Sequence, residues 1–395
     1  MNRIGKTGAL VALSAVLGAT TLTGCGKLDG TEAVATVGEQ SIPLGVASLY
    51  LRYQQAQMET YYGSMFGENM WSMEISEGET YADTTKNNTM ETLEEYYLLK
   101  AHAGDYDVAI SEDQESAIAE AAKNFIAAND AATLETMGVT EDTVKELLEL
   151  YTYHSLMEPV MTADVDTEVS DEEAAQTTVT YVQLSTAGTT DEEGNTVDMT
   201  DDEKAALKDQ AVQIIEKINA TGDVANADMD ALAKEVGESL AATTTSYGSD
   251  DETLDDALKT AVGSMADGQL NGDVVEGTDA YYVLRLDKTF DEEATATKKE
   301  SIVSERKTDA YTALVDEWKE ADGVKVNDKV WDKVVLNDNI SFTMADVTEP
   351  AEETTEEPAD ATGDAATEDT ADTTGDTAEE STTDTTDEAD AAAEE

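Results

Sequence analysis

The clearest strand in this chain reads Ala280-Tyr281-Tyr282-Val283-Leu284-Arg285-Leu286. A turn-like segment comes shortly before it, Ser264-Met265-Ala266-Asp267-Gly268-Gln269, and Val274-Val275 lies between the two. Aromatic and β-branched residues favour strands, and the Asp-Gly pair favours a turn. The run therefore predicts a helix end, a turn and the closing strand of a small domain.

Upstream segments complete that domain. Thr177 to Leu184 is β-branched and aromatic, and Leu240 to Tyr247 is a second candidate strand. Apolar residues recur at helical spacing in three places, at Leu207, Ala211, Ile214, Ile215 and Ile218, at Met229, Leu232, Ala233 and Val236, and at Leu254, Leu258 and Val262. Strand, helices, strand, helix and strand in this order predict a small α+β domain.

The first part of the chain is predicted to be an all-helical unit over residues 44–161, preceded by a strand at Ala33 to Val37. Apolar residues follow helical spacing from Leu44 to Tyr62, and Ser111 and Thr140 are residue types that favour helix N-caps. After the small domain, residues 297–320 again show a helical pattern, and residues 330–336 form a short apolar segment.

Cys25 is the one cysteine of the chain, and it ends the stretch Leu22-Thr23-Gly24-Cys25. A positively charged start precedes an apolar run from Gly8 to Leu22, which is too short for a spanning helix. Leu-x-Gly-Cys is typical of a bacterial lipoprotein signal, in which the cysteine is acylated and becomes the new amino terminus. We therefore expect a signal peptide at residues 1–24, a tether at residues 25–32, and an extracytoplasmic protein that is lipid-anchored to the cell membrane through Cys25.

The charge balance excludes some partners. With 88 acidic and 23 basic side chains, the formal charge is -65, and such a surface repels nucleic acid. Residues 346–395 hold twenty of the acids and no lysine or arginine, so residues 345–395 are predicted to form a disordered acidic tail. We expect no metal, nucleotide or other cofactor, since the sequence has no Cys/His cluster and no phosphate loop.

In order and spacing, these pieces resemble the PrsA and SurA group of extracytoplasmic foldases. The segments that carry the resemblance are Val34-Ala35-Thr36-Val37-Gly38, Val169-Ser170-Asp171-Glu172-Glu173, the turn and strand quoted first, and Val324-Lys325-Val326-Asn327 followed by Trp331. In that group, a helical chaperone domain is interrupted by a parvulin-type peptidyl-prolyl isomerase domain, and the chain then returns to complete the helical part.

The resemblance implies an α+β protein with a discontinuous, all-helical SurA-N-like chaperone domain. Residues 33–168 would form its first part, and residues 293–340 would form the C-terminal helix that completes it. Residues 169–292 would be the inserted parvulin-like domain.

The resemblance also places the candidate site. Parvulins usually carry one histidine on the first strand and one on the last, and by register these positions fall on Tyr181 and Tyr282. Tyr247, Leu254 and Leu258 are the nearest candidates for binding a peptide. Prolyl isomerisation breaks no covalent bond, so it does not require an acid, a base or a nucleophile. The two tyrosines are therefore candidate catalytic residues, or else ordinary sheet residues in a groove that only binds peptides.

The segment around the end of the first helix is rich in Tyr and Met, with Tyr61, Tyr62, Met65, Met70 and Met73 close together. Adaptable Met and amphipathic Tyr suit a surface that holds many unfolded chains, and packing in a helical core explains part of the pattern as well. Glycines nearby predict a loop over residues 65–84.

The function implied is that of a membrane-anchored foldase and chaperone for unfolded exported polypeptides, with an isomerase-type domain. One alternative is a pure holdase whose degenerate parvulin domain only binds peptides. A more distant alternative is a solute-binding lipoprotein, which needs two lobes built from strand-helix units, and another is a surface spacer or adhesin.

Overall fold

The computed structural model of the chain describes residues 17–19, 27–190, 196–336 and 341–344. Helices and short strands share this part of the chain, so the predicted α+β class is confirmed. Cys25, most of the predicted signal peptide and the predicted tail from residue 345 onward lie outside the described residues. In the described part, no helix has the length and apolar character needed to cross a membrane.

The helices are α1 (Leu44–Phe66), α2 (Tyr81–His102), α3 (Glu112–Ala128), α4 (Ala131–Thr136), α5 (Glu141–Met161), α6 (Asp171–Ala174), α7 (Asp201–Ala220), α8 (Met229–Lys234), α9 (Asp256–Val262), α10 (Glu292–Asp322) and α11 (Asp328–Trp331).

The strands are β1 (Leu17–Ala19), β2 (Ala33–Val37), β3 (Gln40–Pro43), β4 (Glu74–Ser76), β5 (Glu79–Thr80), β6 (Thr177–Ser185), β7 (Thr189–Thr190), β8 (Thr196–Val197), β9 (Ala242–Tyr247), β10 (Gln269–Leu270), β11 (Val275–Glu276), β12 (Ala280–Lys288), β13 (Val324–Val326) and β14 (Phe342–Met344).

Side-chain caps determine where the helices of the first part begin. Ser111 and Thr140 are the N-caps of α3 and α5, as predicted, and Thr80 caps α2. In all three, the capping side chain accepts from the backbone N–H of the third helical residue, and the side chain of that residue accepts from the backbone N–H of the capping residue. Both bonds satisfy N–H groups that lack a partner within the helix. Helices α1, α2, α3 and α5 then pack around one apolar core.

The prediction of an all-helical unit over residues 44–161 is wrong in one respect. The segment predicted as a loop contains a hairpin of β4 and β5, which turns at Gly78 with a φ of +80° that favours glycine. The strand predicted at Ala33 to Val37 is confirmed as β2, and it forms a three-stranded antiparallel sheet with β3 and β13. Strand β13 follows α10 in the chain, so its pairing with β2 is a long-range contact that local sequence patterns do not indicate.

Helix α10 packs against the first helices. The Tyr311 hydroxyl donates a hydrogen bond to Glu95, and the Lys319 ammonium lies 2.7 Å from the buried Glu94 carboxylate. Val315 belongs to the same apolar core as α1, α2 and α5. Beyond α10, Val324 pairs with Val37 in the sheet. The last long helix therefore contacts elements that precede residue 170, although the limits of the predicted domains remain predictions.

The residues between α6 and α10 form a separate sheet. Its strands are all antiparallel, in the order β10-β12-β6-β9, and β11 pairs with β12 beside β10. Helices α7 and α8 cover one face through an apolar cluster that includes Val182, Ile214 and Val283. Helix α9 covers part of the other face, where Val179, Leu258 and Leu284 pack. The three strands predicted here and the helices α7, α8 and α9 are confirmed.

The chain enters and leaves this region at one place. The Asp291 backbone N–H donates to the Gln176 carbonyl at 2.8 Å, and the Gln176 N–H donates to the Thr295 hydroxyl at 3.1 Å. Farther along α10, the Arg306 guanidinium lies 2.6 Å from the Glu173 carboxylate. These contacts hold the first half of α10 against the segment that leads into β6.

The short strand β1 pairs with β14. It belongs to the predicted signal peptide, whose removal remains a prediction. Phe342 on β14 is buried, and the Arg52 guanidinium lies 4.8 Å from the centroid of the Phe342 ring. The Phe342 backbone N–H donates to the Glu59 carboxylate at 3.1 Å. The end of the described chain is thereby held on α1.

Candidate functional site

A cavity of about 480 Å³ opens on the α9 face of the five-stranded sheet. Its walls come from β6, β12, the segment that leads into α9, the start of α9 and the segment before β12. Aromatic and aliphatic side chains form one part of the lining, and these are Tyr181, Tyr282, Leu254 and Leu258. Polar side chains form the other part, and these are Gln183, Glu252, Thr253, Asp255, Asp256, Thr278 and Asp279.

Tyr181 and Tyr282 meet because of the strand register. Tyr181 lies opposite Leu284, and Tyr282 lies opposite Gln183, so the two tyrosines are diagonal neighbours on the same face of the sheet. Their ring centroids are 5.6 Å apart and their planes differ by 83°. This edge-to-face arrangement is favourable for aromatic pairs, and it forms a fixed aromatic corner in the cavity.

The Asp255 carboxylate connects three parts of the cavity wall. It caps α9 by accepting from the Ala257 N–H at 2.8 Å, and it accepts from the Thr278 N–H at 3.2 Å. The Tyr282 hydroxyl donates to the same carboxylate at 3.4 Å. A Cβ atom at Gly277 would lie 2.3 Å from Asp255 Oδ2 and 2.6 Å from Tyr282 Cε2, so a side chain at Gly277 would break this junction.

The cavity surroundings keep the Tyr282 hydroxyl protonated. Burial raises the pKa of Tyr282, and the neighbouring Asp255 carboxylate raises the pKa further. The phenol is therefore neutral near neutral pH and remains able to donate a hydrogen bond. It is not a base, because its ionised form is disfavoured.

The cavity has an acidic rim. Four of the described lining residues carry carboxylates, and these are Glu252, Asp255, Asp256 and Asp279. The described lining includes no basic side chain. Asp256 has a partial counter-charge in Lys259, whose ammonium lies 3.1 Å away. A ligand that carries positive charge next to an apolar group would match this rim.

The cavity offers groups that can bind a ligand. Its described lining includes no histidine, cysteine or lysine. It does offer two tyrosine hydroxyls, aromatic and aliphatic walls, and a volume in the range of small-ligand sites. Such a site can hold a short peptide segment and contact one carbonyl group.

The structure brings together four of the five residues predicted for this site. Tyr181, Tyr282, Leu254 and Leu258 line one cavity. Tyr247 does not line it, because it lies on β9 opposite Thr177 and packs at the edge of the apolar cluster on that face. The catalytic and peptide-binding roles of all five remain predictions.

Sequence reasoning missed the polar wall. Asp255 was detectable as a helix N-cap, since it immediately precedes α9. Gln183, Thr278 and Asp279 had no local signal, because only the pairing of β6 with β12 and the turn before β12 bring them to the cavity.

The two histidines lie in the helical part. His154 packs against Tyr96, with ring centroids 5.1 Å apart. His102 stacks on Trp318 and contacts Asp105 and Asp322. Across the described ranges, no group of three or more histidine, cysteine or acidic side chains is arranged to hold a metal ion.

Solved structures similar to this chain include PrsA proteins from three bacteria. The foldase protein PrsA from Lactococcus lactis is 14% identical with a TM-score of 0.30, and the match covers 76% of this chain and 96% of that chain. The foldase protein PrsA from Streptococcus pneumoniae is 16% identical with a TM-score of 0.27, covering 66% and 96%. The peptidylprolyl isomerase PrsA from Bacillus anthracis is 15% identical with a TM-score of 0.22, covering 60% and 99%.

The predicted resemblance to PrsA foldases is thereby confirmed as a resemblance. At these identities and TM-scores it carries no conclusion about activity. No protein-family model matches the chain, and no curated protein does.

Proposed function

We propose that this protein is an extracytoplasmic foldase that assists the folding of exported polypeptides. The cavity beside α9 would bind Xaa-Pro segments, and the helical part would hold the rest of an unfolded chain. The observation that carries the proposal is the aromatic corner of Tyr181 and Tyr282, placed by strand register over a cavity of peptide-segment size.

The cavity geometry supports a binding mode. A proline ring is apolar and flat enough to pack against Tyr181 and Leu258. The Tyr282 hydroxyl, which has one proton, would leave the Asp255 carboxylate 3.4 Å away and donate to a carbonyl of the peptide instead. The barrier to rotation about the peptide bond is roughly 18–20 kcal/mol, and it falls when the amide loses its resonance. A site that binds the twisted amide more tightly than the planar amide accelerates rotation about the Xaa-Pro bond without any proton transfer.

A holdase without isomerase activity is the second candidate. The acidic rim favours it, because carboxylates bring water and charge to a pocket that would need an apolar environment to stabilise a twisted amide. Both candidates require peptide binding in the cavity, and only the foldase requires a faster cis-trans exchange.

We also propose that the protein is anchored to the cell membrane through Cys25. The supporting evidence is the lipoprotein-type segment that ends at this residue. The solute-binding alternative has less support, since each sheet in the described part of the chain pairs its strands antiparallel, whereas strand-helix units give parallel sheets.

The proposal is tested by measuring the affinity of a fluorescent Lys-Pro peptide for the full chain and for two variants. Tyr282→Ala removes one ring of the aromatic corner, and Tyr281→Ala removes the neighbouring tyrosine on the opposite face of the sheet. We expect Tyr282→Ala to weaken binding about tenfold and Tyr281→Ala to leave it unchanged. Equal affinities of all three proteins would contradict peptide binding in this cavity.

Exchange spectroscopy on the same peptide separates the two candidates. A foldase increases the cis-trans exchange rate in proportion to protein concentration, and Tyr282→Ala reduces the increase. Binding without any increase at high protein concentration assigns the chain to the holdase class.

A further inference from the structure

An exposed apolar surface lies at the end of α1, in the Tyr- and Met-rich segment of the sequence. Tyr61 and Met65 are each 74% exposed, which is unusual for side chains of this size. We call it the α1-tip patch, and it consists of Tyr61, Tyr62, Met65, Phe66, Met73 and Ile75.

The α1-tip patch is made by one helix end and the segment that follows it. Tyr62 and Phe66 have ring centroids 6.3 Å apart on α1. The segment from Gly67 follows α1 directly, and its Met73 carbonyl accepts a hydrogen bond from the Tyr81 N–H at 2.8 Å.

The backbone beneath the patch is held in place. Between Phe66 and Met73 the chain forms a short 3-10 turn in which Met70 and Trp71 are buried. Trp71 stacks on Tyr81 with ring centroids 5.4 Å apart, and its indole N–H donates to Glu59 at 2.7 Å. The segment after α1 therefore buries Met70 and Trp71 while Met73 and Ile75 stay exposed. Since its backbone is held by these contacts, the exposure of the patch does not come from a poorly packed segment.

The charged residues in the stretch of sequence that forms the patch all have the same sign. From residue 59 to residue 80 the chain carries five glutamates and no lysine, arginine or histidine. Glu74 and Glu77 are exposed beside Ile75. An apolar surface with a carboxylate rim matches a ligand that has apolar residues flanked by positive charge.

We infer that the α1-tip patch docks extended segments of unfolded polypeptide in which aromatic or aliphatic residues are flanked by lysine or arginine. The inference rests on the proposed function, because it names the client segments that the helical part would hold. Flexible Met and amphipathic Tyr side chains can repack around varied sequences. The affinity comes from apolar burial, and the selection for basic flanks comes from the glutamates.

The same charges argue against two other occupants. A second copy of the chain would bring glutamates against glutamates in a self-complementary contact. An anionic lipid surface would face the same carboxylates and be repelled.

The experiment uses the full chain and proline-free fluorescent peptides, and Tyr282→Ala measures how much of their binding the cavity beside α9 contributes. One peptide has an apolar centre with lysine flanks, a second has glutamate flanks, and a third keeps the lysines but has a serine centre. The test variant is Tyr61→Ser with Met65→Ser. The control variant is Val212→Ser with Phe290→Ser, which removes two exposed apolar side chains elsewhere.

We expect the lysine-flanked apolar peptide to bind the full chain tightest, and the test variant to bind it about tenfold more weakly. The control variant should match the full chain. Equal binding by the test variant would overturn the inference. Two other results would also overturn it, each with the peptide affinity of the test variant unchanged. In the first, the test variant loses a dimer that the full chain forms in sedimentation. In the second, the test variant loses binding to vesicles of phosphatidylcholine and phosphatidylglycerol.

Failure of this inference and failure of the proposed function give different results. If the cavity proposal alone is wrong, Lys-Pro peptides show no dependence on Tyr282 while the proline-free peptide still depends on Tyr61 and Met65. If the patch inference alone is wrong, the opposite pattern appears.

Discussion

His102 stacks on Trp318, with ring centroids 4.3 Å apart and ring planes that differ by 8°. The contact joins the end of α2 to the last turns of α10, and the whole five-stranded sheet lies between these two residues along the chain. The His102 ring also lies 2.9 Å from Asp105 and 3.2 Å from Asp322. The closing helix α10 is thereby held against the end of α2.

The stacking of His102 on Trp318 should contribute measurably to the free energy of unfolding. Trp318→Ala removes a half-buried ring and its stack on His102, so we expect the free energy of unfolding to fall by about 2 kcal/mol, below the range for a fully buried tryptophan. Urea unfolding followed by circular dichroism checks the value. Glu317→Ala, at an exposed neighbouring position, is the control and should change stability little. Equal midpoints for the two variants would show that the stack contributes nothing.

Asp291 gives a prediction for acid stability. Hydrogen bonds from Lys288 and Thr178 lower the pKa of Asp291 to about 2. Because the folded-state pKa lies below the unfolded value, the stabilisation is fully present above about pH 4 and is lost as the pH falls through about 2. Asp291→Ala also removes the N-cap of α10, so it should cost about 1 kcal/mol at neutral pH.

The check is a series of urea unfolding curves at decreasing pH. The stability difference between the full chain and Asp291→Ala should shrink below about pH 4. Asp291→Asn, which keeps a capping oxygen but loses the charge opposite Lys288, should fall between the two at neutral pH. A difference that stays constant down to the lowest pH would contradict the assigned pKa.

Removal of the Asp255 charge should change the titration of Tyr282. Since burial and the Asp255 carboxylate both raise the pKa of Tyr282, we expect Asp255→Asn to lower that pKa while leaving it above the value of free tyrosine. Carbon-13 spectra of ring-labelled tyrosine report the titration, and Tyr282→Phe identifies the signal. An unchanged titration in Asp255→Asn would place the carboxylate too far from the phenol to act.

The acidic rim of the cavity should select peptides by charge. A peptide with Lys before proline should bind more tightly than the matched peptide with Glu, and the ratio should fall as salt is added, because exposed charges are screened over about 8 Å at physiological ionic strength. Fluorescence polarisation at low and high salt measures the ratio. A preference for the Glu peptide, or a ratio that salt does not change, would contradict electrostatic selection by this rim.

Much of the local structure was predictable from sequence because its causes are local. Ser111 and Thr140 fall at helix starts since their hydroxyls satisfy N–H groups close along the chain. The strand of Tyr282 was predictable from its composition. The hairpin at Gly78 and the short α4 were missed, since elements of a few residues have too little pattern to detect.

The site was predictable only in part, for a related reason. The resemblance placed Tyr181 and Tyr282 on strands that pair in the structure, and the register then puts them on one face. Asp255 and Asp279 reach the cavity through pairing and turns that join distant segments, and no periodicity in the sequence records such contacts. The pairing of Val324 with Val37 has the same origin.

Amide chemical-shift mapping of the isotope-labelled full chain during titration with a Lys-Pro peptide tests the cavity assignment most directly. We predict saturable shifts at Tyr181, Gln183, Asp255, Thr278 and Tyr282, and their loss in Tyr282→Ala. Shifts confined to α1, α2 and α10 at saturating peptide, with none around Tyr181 and Tyr282, would contradict the account.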